Sequence, residues 1–142
     1  MAPHPAQARY CRAMSQDKIE VIRSAYEAFN RGDFDAAVAI ADPQIEFVRT
    51  GGQSPVIGVE ALRAWMEPDA FETQVIEPLE FTVAGDKVLV RQHTKAQGAG
   101  SGIEIDFDSW TVWTVADDGH VTRMEFFLDH QRDEALEAAG LS

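Results

Sequence analysis

The C-terminal half of the chain alternates apolar and polar residues with a period of two, and this alternation constrains the fold most. It predicts four strands joined by short turns rich in glycine and aspartate, over residues 75–84, 87–97, 103–116 and 120–129. Strands joined by such short turns pair antiparallel, because a parallel connection needs a dozen or more residues. The sequence therefore predicts an antiparallel meander.

The rest of the chain is dominated by helical spacing. Four helices are predicted, near residues 16–31, 34–41, 59–66 and 133–139. One further strand, 45–50, lies between the second and third helices. Helices that precede an antiparallel meander favour an α+β domain, in which a curved sheet carries the helices over one face.

Composition limits the domain organisation and the partners. We expect residues 14–142 to form a single domain and residues 1–13, which lack apolar periodicity, to be a flexible extension, with Met14 as an alternative start.

Twenty-four acidic and 12 basic residues give a net charge of -12, which disfavours nucleic acids and acidic membrane surfaces as partners. No apolar run is long enough for a membrane span and the first residues do not resemble a secretory signal, so we expect a cytoplasmic protein. The lone Cys11 excludes an internal disulfide.

The alternation also assigns side chains to the two faces of the sheet. Inward positions are mostly apolar with a few polar groups, which is typical of a small-molecule pocket. The candidate ligand-binding residues are Tyr26, Phe47, Trp65, Gln92, Thr111, Trp113, Met124, Phe126 and His130. For Ser109 and Thr111 we expect ordinary hydrogen bonds to the backbone. On strand 87–97, Arg91 and His93 point outward unless a bulge intervenes.

Arg49 is predicted on the inward face, after Ile45 and Phe47 of the first strand. A buried guanidinium must be paired, so the residue either forms a salt bridge or reaches water at the rim, or it binds an anionic ligand. Both interpretations stay open. Being permanently charged, Arg49 cannot abstract a proton, but it can hold a carboxylate, enolate or phenolate oxygen. The four strands with clear alternation place no carboxylate inward.

Several segments, in this order, resemble the SnoaL-like branch of the nuclear transport factor 2-like superfamily over residues 15–142. They are a helix, GDFDAAVAIADP, a strand, IGVEALRAW, and a meander ending in DDGHVTRMEFFLD and EALEAAGL. The resemblance implies a cystatin-like cone: a bent antiparallel sheet with the N-terminal helices on its concave face and a pocket in its mouth. Relatives include polyketide cyclases, ketosteroid isomerase, limonene epoxide hydrolase and non-catalytic modules, so the fold alone does not select a chemistry.

Carried over by this resemblance, the catalytic positions of ketosteroid isomerase are all changed. Its base falls on Arg49, its oxyanion tyrosine on Ala25 beside Tyr26, and its protonated aspartate near Thr111. These residues exclude steroid isomerisation by that mechanism.

The epoxide hydrolase pattern places Arg91 and His93 where that family has an Arg-x-Asp pair, and Phe126 where it has a second acid. Water addition with His93 as the base therefore stays a second alternative. The acid–base residues of polyketide cyclases lie on the last strands, where Glu125 and Asp129 are predicted to face outward. The candidate catalytic residues are Arg49 and His93.

Taken together, the sequence predicts a protein that binds or transforms a mostly apolar ligand with one acidic or carbonyl oxygen, by isomerase-, cyclase- or hydratase-type chemistry. A non-catalytic ligand-binding or dimerisation module is the alternative. We expect no cofactor and no metal, because no HxH or HExxH spacing occurs. Trp110, Val112 and Phe127 form a predicted apolar patch on the outer sheet face, which favours a homodimer through that face.

Overall fold

The structure, a computed structural model, describes residues 5–49, 54–66 and 71–141, with side chains described for 16–49, 54–66 and 73–141. The helices are α1 (Pro5–Asn30), α2 (Phe34–Val38), α3 (Val59–Met66) and α4 (Arg132–Ala138), the last preceded by a 3-10 turn at Asp129–Gln131. The strands are β1 (Ala41–Val48), β2 (Val56–Ile57), β3 (Phe71–Ala84), β4 (Lys87–Gly98), β5 (Glu104–Val115) and β6 (Val121–Leu128).

The six strands form one sheet in the order β2-β1-β6-β5-β4-β3. Strands β3 to β6 are the predicted antiparallel meander, and the α+β prediction is confirmed. The prediction of a wholly antiparallel sheet is wrong at one place, because β1 runs parallel to β6, with Phe47 opposite Met124. No short turn joins these two strands, so no local signal fixes their relative direction.

Several element boundaries differ from the predicted ones. Helix α1 begins at Pro5, so the backbone of residues 5–13, predicted as part of a flexible extension, is helical. Strand β1 begins at Ala41, where the predicted helix 34–41 ends, and it includes Pro43. Its pairing with β6 shifts register between Ala41 and Glu46, and an interrupted ladder tolerates a residue without an N–H.

The concave face of the sheet and helices α1 and α3 enclose the main core, in which Ile22, Ile45 and Val121 are fully buried. The Asn30 side chain ties the end of α1 to β3, because its amide donates to the Ile76 carbonyl and accepts from the Ile76 N–H, both at 2.8 Å. These two bonds fix the end of α1 against β3. The cavity lies between the helices and the concave face of the sheet.

The convex face of the sheet is covered by the chain's own C-terminal helix. Trp110 and Val112 are buried against Ala135 and Ala139, and Phe127 is partly buried beside them. The predicted exposed patch is therefore wrong, because α4 buries it. The homodimer stays a prediction without that support. Within the described residues, no helix has the length and apolar character that crossing a membrane requires.

Candidate functional site

A cavity of about 710 Å³ lies between the concave face of the sheet and the helices. Most of its lining is apolar or aromatic. The structure places these predicted site residues in the lining: Tyr26, Phe47, Arg49, Trp65, Gln92, Thr111, Trp113, Met124 and Phe126. Trp65 packs edge-on against Phe47, with ring centroids 4.8 Å apart, so the two rings form one aromatic wall.

The structure does not bring His93 or His130 into this lining. His130 is exposed in the 3-10 turn. The pairing of β4 with β5 has no register shift, so strict alternation places Gln92 and Thr94 inside and His93 on the convex face. The prediction of His130 as a cavity residue is wrong, and the alternative of water addition through Arg91 and His93 has its residues on the face opposite the cavity.

On the convex face, His93 belongs to a network of charges. Its Nδ1 lies 2.5 Å from Asp108 and its Nε2 lies 2.7 Å from Asp106. Arg91 binds Asp108 at 3.1 Å and Asp129 at 2.8 Å. Both ring nitrogens thus face carboxylates, an arrangement that favours the doubly protonated imidazolium.

This network predicts a pH-dependent stability. The hydrogen bond that His93 donates to Asp108 raises the pKa of His93, and the same bond lowers the pKa of Asp108. A raised histidine pKa stabilises the fold below the unfolded value of about 6.5, and this contribution is lost as the pH rises through the folded value. A lowered aspartate pKa stabilises above about 4, and this contribution is lost on acidification. We therefore expect His93→Gln to lower the melting temperature most between about pH 4 and 6.5.

Thermal unfolding of wild type and His93→Gln across this pH range checks the expectation. His130→Gln is the matched control, since His130 is exposed in the 3-10 turn and forms no ion pair among the described residues. A His93→Gln deficit that does not shrink above the folded His93 pKa would contradict it.

A hydrogen-bonded network crosses the middle of the cavity wall, and its donors can be assigned. The indole of Trp113 only donates, and it donates to Thr111 Oγ1 at 2.9 Å. The Tyr26 hydroxyl donates to Gln92 Oε1 at 2.5 Å, so Thr111 donates to the Tyr26 oxygen at 3.1 Å, the nearer of its two acceptors; Gln92 Oε1 lies 3.5 Å away. The Gln92 amide then donates to Ser109 Oγ at 3.0 Å. The expected backbone hydrogen bonds of Ser109 and Thr111 are replaced by side-chain partners.

Because of this network, Tyr26 does not act as a general acid or base. Burial raises the pKa of the Tyr26 phenol well above its ordinary value, and the smaller lowering effects of the nearby Thr111 and Trp113 do not offset it. The phenol therefore stays protonated, and its O–H already donates a hydrogen bond to Gln92. Tyr26 offers a ligand an aromatic surface rather than a proton.

Arg49 is the one charged side chain among the described residues of the lining. Its Nη2 donates to the Ser54 carbonyl at 3.1 Å, and its buried Nε has no hydrogen-bond partner. Within the described part of the chain it forms no salt bridge, so the ion-pair interpretation has no partner there. A guanidinium with a free N–H beside an apolar cavity is a site suited to an anionic oxygen.

The described residues of the lining include no Asp, Glu, His, Cys or Lys. General-base catalysis needs such a group within reach of the proton it removes. In the described ranges, no cluster of three or more His, Cys, Asp or Glu side chains is arranged to hold a metal ion. The chemistry that these side chains supply is therefore hydrogen bonding, apolar contact and one fixed positive charge.

The family model of the SnoaL-like domain matches residues 22–124 of this chain. The chain belongs to the SnoaL-like domain family. Membership in this family supports a small-molecule-binding or cyclase-type protein. No curated protein matches the sequence.

Solved structures share this SnoaL-like fold. A putative SnoaL-like polyketide cyclase from Jannaschia sp. CCS1 is 22% identical with a TM-score of 0.71, over 89% of this chain and 93% of that one. TerC co-crystallised with polyporic acid is 25% identical with a TM-score of 0.70, over 85% and 98%. RV0760c from Mycobacterium tuberculosis, in complex with estradiol-17beta-hemisuccinate, is 14% identical with a TM-score of 0.70, over 80% and 94%.

Sequence reasoning missed part of the lining of this SnoaL-like cavity. Gln74 and Ile76 of β3 belong to it, as does Phe29 of α1. Gln74 lies before the predicted start of the strand at residue 75, and a register shift between Pro78 and Glu80 breaks the alternation that would have assigned the face. The helical spacing of Phe29 after Ile22 and Tyr26 was the available signal for its inward position.

Proposed function

We propose that the cavity binds a largely apolar organic molecule with one acidic or polarised oxygen, which Arg49 holds. The observation that carries the proposal is the buried Nε of Arg49, which has no partner and is surrounded by a lining whose other described residues are uncharged. A buried donor without a partner costs about 1–3 kcal/mol, and more when the group is charged. An anionic oxygen of the ligand would remove that cost.

The same lining favours binding over base-catalysed turnover. Reactions that begin with proton abstraction need a base, and none of the described lining residues supplies one. Arg49 can polarise a carbonyl or stabilise an enolate, so cyclase- or isomerase-type chemistry would need its base from the ligand or from solvent. Non-catalytic ligand binding is the function that requires no chemical group in addition to these side chains.

Two fold neighbours support the class of ligand. The structure of TerC was obtained with polyporic acid and that of RV0760c with estradiol-17beta-hemisuccinate. Both compounds are acids with a carbon-rich ring body. For this chain they serve as a guide to the probes rather than as the ligands themselves.

A matched pair of probes tests the proposal. Biphenyl-4-carboxylate and biphenyl-4-carboxamide share size and shape but differ in charge. Trp65 and Trp113 line the cavity, so tryptophan fluorescence reports their binding. We expect the carboxylate to bind about ten times more tightly or better, as a charge-assisted hydrogen bond would give. Equal affinities would contradict a role for Arg49 in holding an acid.

We also propose that the protein is a homodimer and is located in the cytoplasm. Light scattering at micromolar concentration tests the first, and a 15.7 kDa particle would contradict it. Cell fractionation tests the second, and recovery of the protein outside the cytoplasmic fraction would contradict it.

A further inference from the structure

We propose that Thr94 and Gln74 form a second, uncharged polar subsite in the cavity, on the wall away from Arg49. The ligand would then carry a hydroxyl or carbonyl group at the end opposite its acid. Only the acid end of this inference rests on the function proposed above. The subsite itself is argued from β3 and β4.

Thr94 presents a hydroxyl to the cavity that no described residue bonds. It points inward from β4, is 4% exposed and lines the cavity. Its hydroxyl makes no hydrogen bond within the described part of the chain, whereas Gln92, two residues earlier on the same face, makes several. The Thr94 oxygen is not sealed inside the wall but opens onto the cavity, where it can donate to or accept from a ligand. The open cavity beside Thr94 is where its missing partner would lie.

Gln74 lies close to Thr94 on the neighbouring strand. The register places Ile76 opposite Thr94 and Gln74 opposite Ala96, so Gln74 is the diagonal neighbour of Thr94. Diagonal neighbours on one face are within reach of a common group when the side chains are long. The Gln74 amide lines the cavity and, among the described residues, has no hydrogen-bond partner. Together the two side chains offer donors and acceptors to a neutral oxygen.

The middle of the wall offers a ligand much less. There the donors run from Trp113 to Thr111, from Thr111 to Tyr26 and from Tyr26 to Gln92, so the hydroxyls of Tyr26 and Thr111 are already used. A ligand that donated or accepted strongly at this point would have to break an existing bond. Among the described residues, the polar groups that can still bond a ligand therefore lie on two separate walls of the cavity. Between these walls the lining is apolar, or its polar side chains already bond one another.

The sheet order sets the distance between the two polar walls. Arg49 follows directly on β1, and β6 and β5 lie between that strand and β4. Three steps of about 4.8 Å give a path of about 14 Å along the sheet, and the straight line across a concave face is shorter. A body of two or three rings, polar at both ends, spans this distance. The cavity volume of about 710 Å³ is ample for it.

Two acids that differ by one hydroxyl test the subsite. We expect wild-type protein to bind 4′-hydroxybiphenyl-4-carboxylate about three- to tenfold more tightly than biphenyl-4-carboxylate, as one neutral hydrogen bond would give. Thr94→Val keeps the shape and suits a strand, and it should remove this advantage. Thr73→Val is the matched control, because Thr73 is exposed on β3 and outside the lining. It should leave the advantage intact.

Gln74→Met gives a second measurement that does not depend on the folding of Thr94→Val. We expect it to reduce the affinity advantage of the hydroxylated acid as well. An advantage that is absent in wild type, or that survives in both variants, would overturn the proposal. So would a failure of both acids to bind at millimolar concentration.

The Arg49→Met variant separates this proposal from the previous one. We expect it to weaken both acids by the same factor and to leave the advantage of the hydroxyl unchanged. If Arg49→Met weakens neither acid while Thr94→Val still removes the advantage, the acid site fails and the Thr94 subsite stands.

Discussion

Replacement of Arg49 by methionine is expected to weaken binding of biphenyl-4-carboxylate by about ten- to a hundredfold. Methionine keeps much of the length and apolar surface of the side chain but removes the only charge among the described lining residues. Binding of biphenyl-4-carboxamide should change little, because the apolar contacts with the aromatic wall remain. Titration calorimetry with both compounds measures the difference.

Arg31→Met is the control for this substitution. It makes the same chemical change at a side chain that is 58% exposed and lies near Asp33, outside the cavity lining. Its affinities for both compounds should equal those of wild type. A loss of affinity in Arg49→Met that is the same for acid and amide would show that Arg49 acts through the shape of the wall rather than through its charge.

The largest expected effect on stability comes from the convex face of the sheet. Val112 is fully buried there, beneath helix α4. Val112→Asp would place a carboxylate without a partner in that cluster, and we expect it to lower the free energy of unfolding by about 4 kcal/mol or more. Urea unfolding followed by circular dichroism measures this change. Ile57→Asp introduces the same acid at a side chain that is 60% exposed and should change the stability little.

The Val112→Asp experiment also decides what covers this face. If α4 covers it, as the structure has it, the destabilisation does not depend on protein concentration. If a second copy covered it instead, the effect would fall on association and the unfolding midpoint would vary with concentration. A stable Val112→Asp monomer with an unchanged midpoint would contradict both.

The meander could be predicted because its information is local. Period-two alternation and glycine turns determine β4, β5 and β6 nearly to the residue, and they place Gln92, Thr111 and Trp113 on the correct face. The parallel pairing of β1 with β6 joins segments far apart in sequence, with no turn to set their direction. Such pairings depend on the packing of the whole sheet.

The choice of face for a terminal helix is equally non-local. Ala135 and Ala139 give α4 an apolar side, but helical spacing alone does not say whether that side packs on the concave or the convex face of the sheet. The outward Trp110 and Val112 were therefore read as an exposed patch, although the chain covers them itself. For the site, parity identified lining residues on β1, β4, β5 and β6, among them Phe47, Gln92 and Phe126. Gln74 was missed because it lies before the predicted start of its strand, and a register shift in β3 interrupts the alternation.

A crystal structure of the protein with biphenyl-4-carboxylate shows whether Arg49 holds the acid. We expect the biphenyl body against Phe47 and Trp65, with a carboxylate oxygen within hydrogen-bond distance of the Arg49 guanidinium, Nε included. A carboxylate that points to solvent, or that binds at the Tyr26–Gln92 network while Arg49 stays unpartnered, would contradict it.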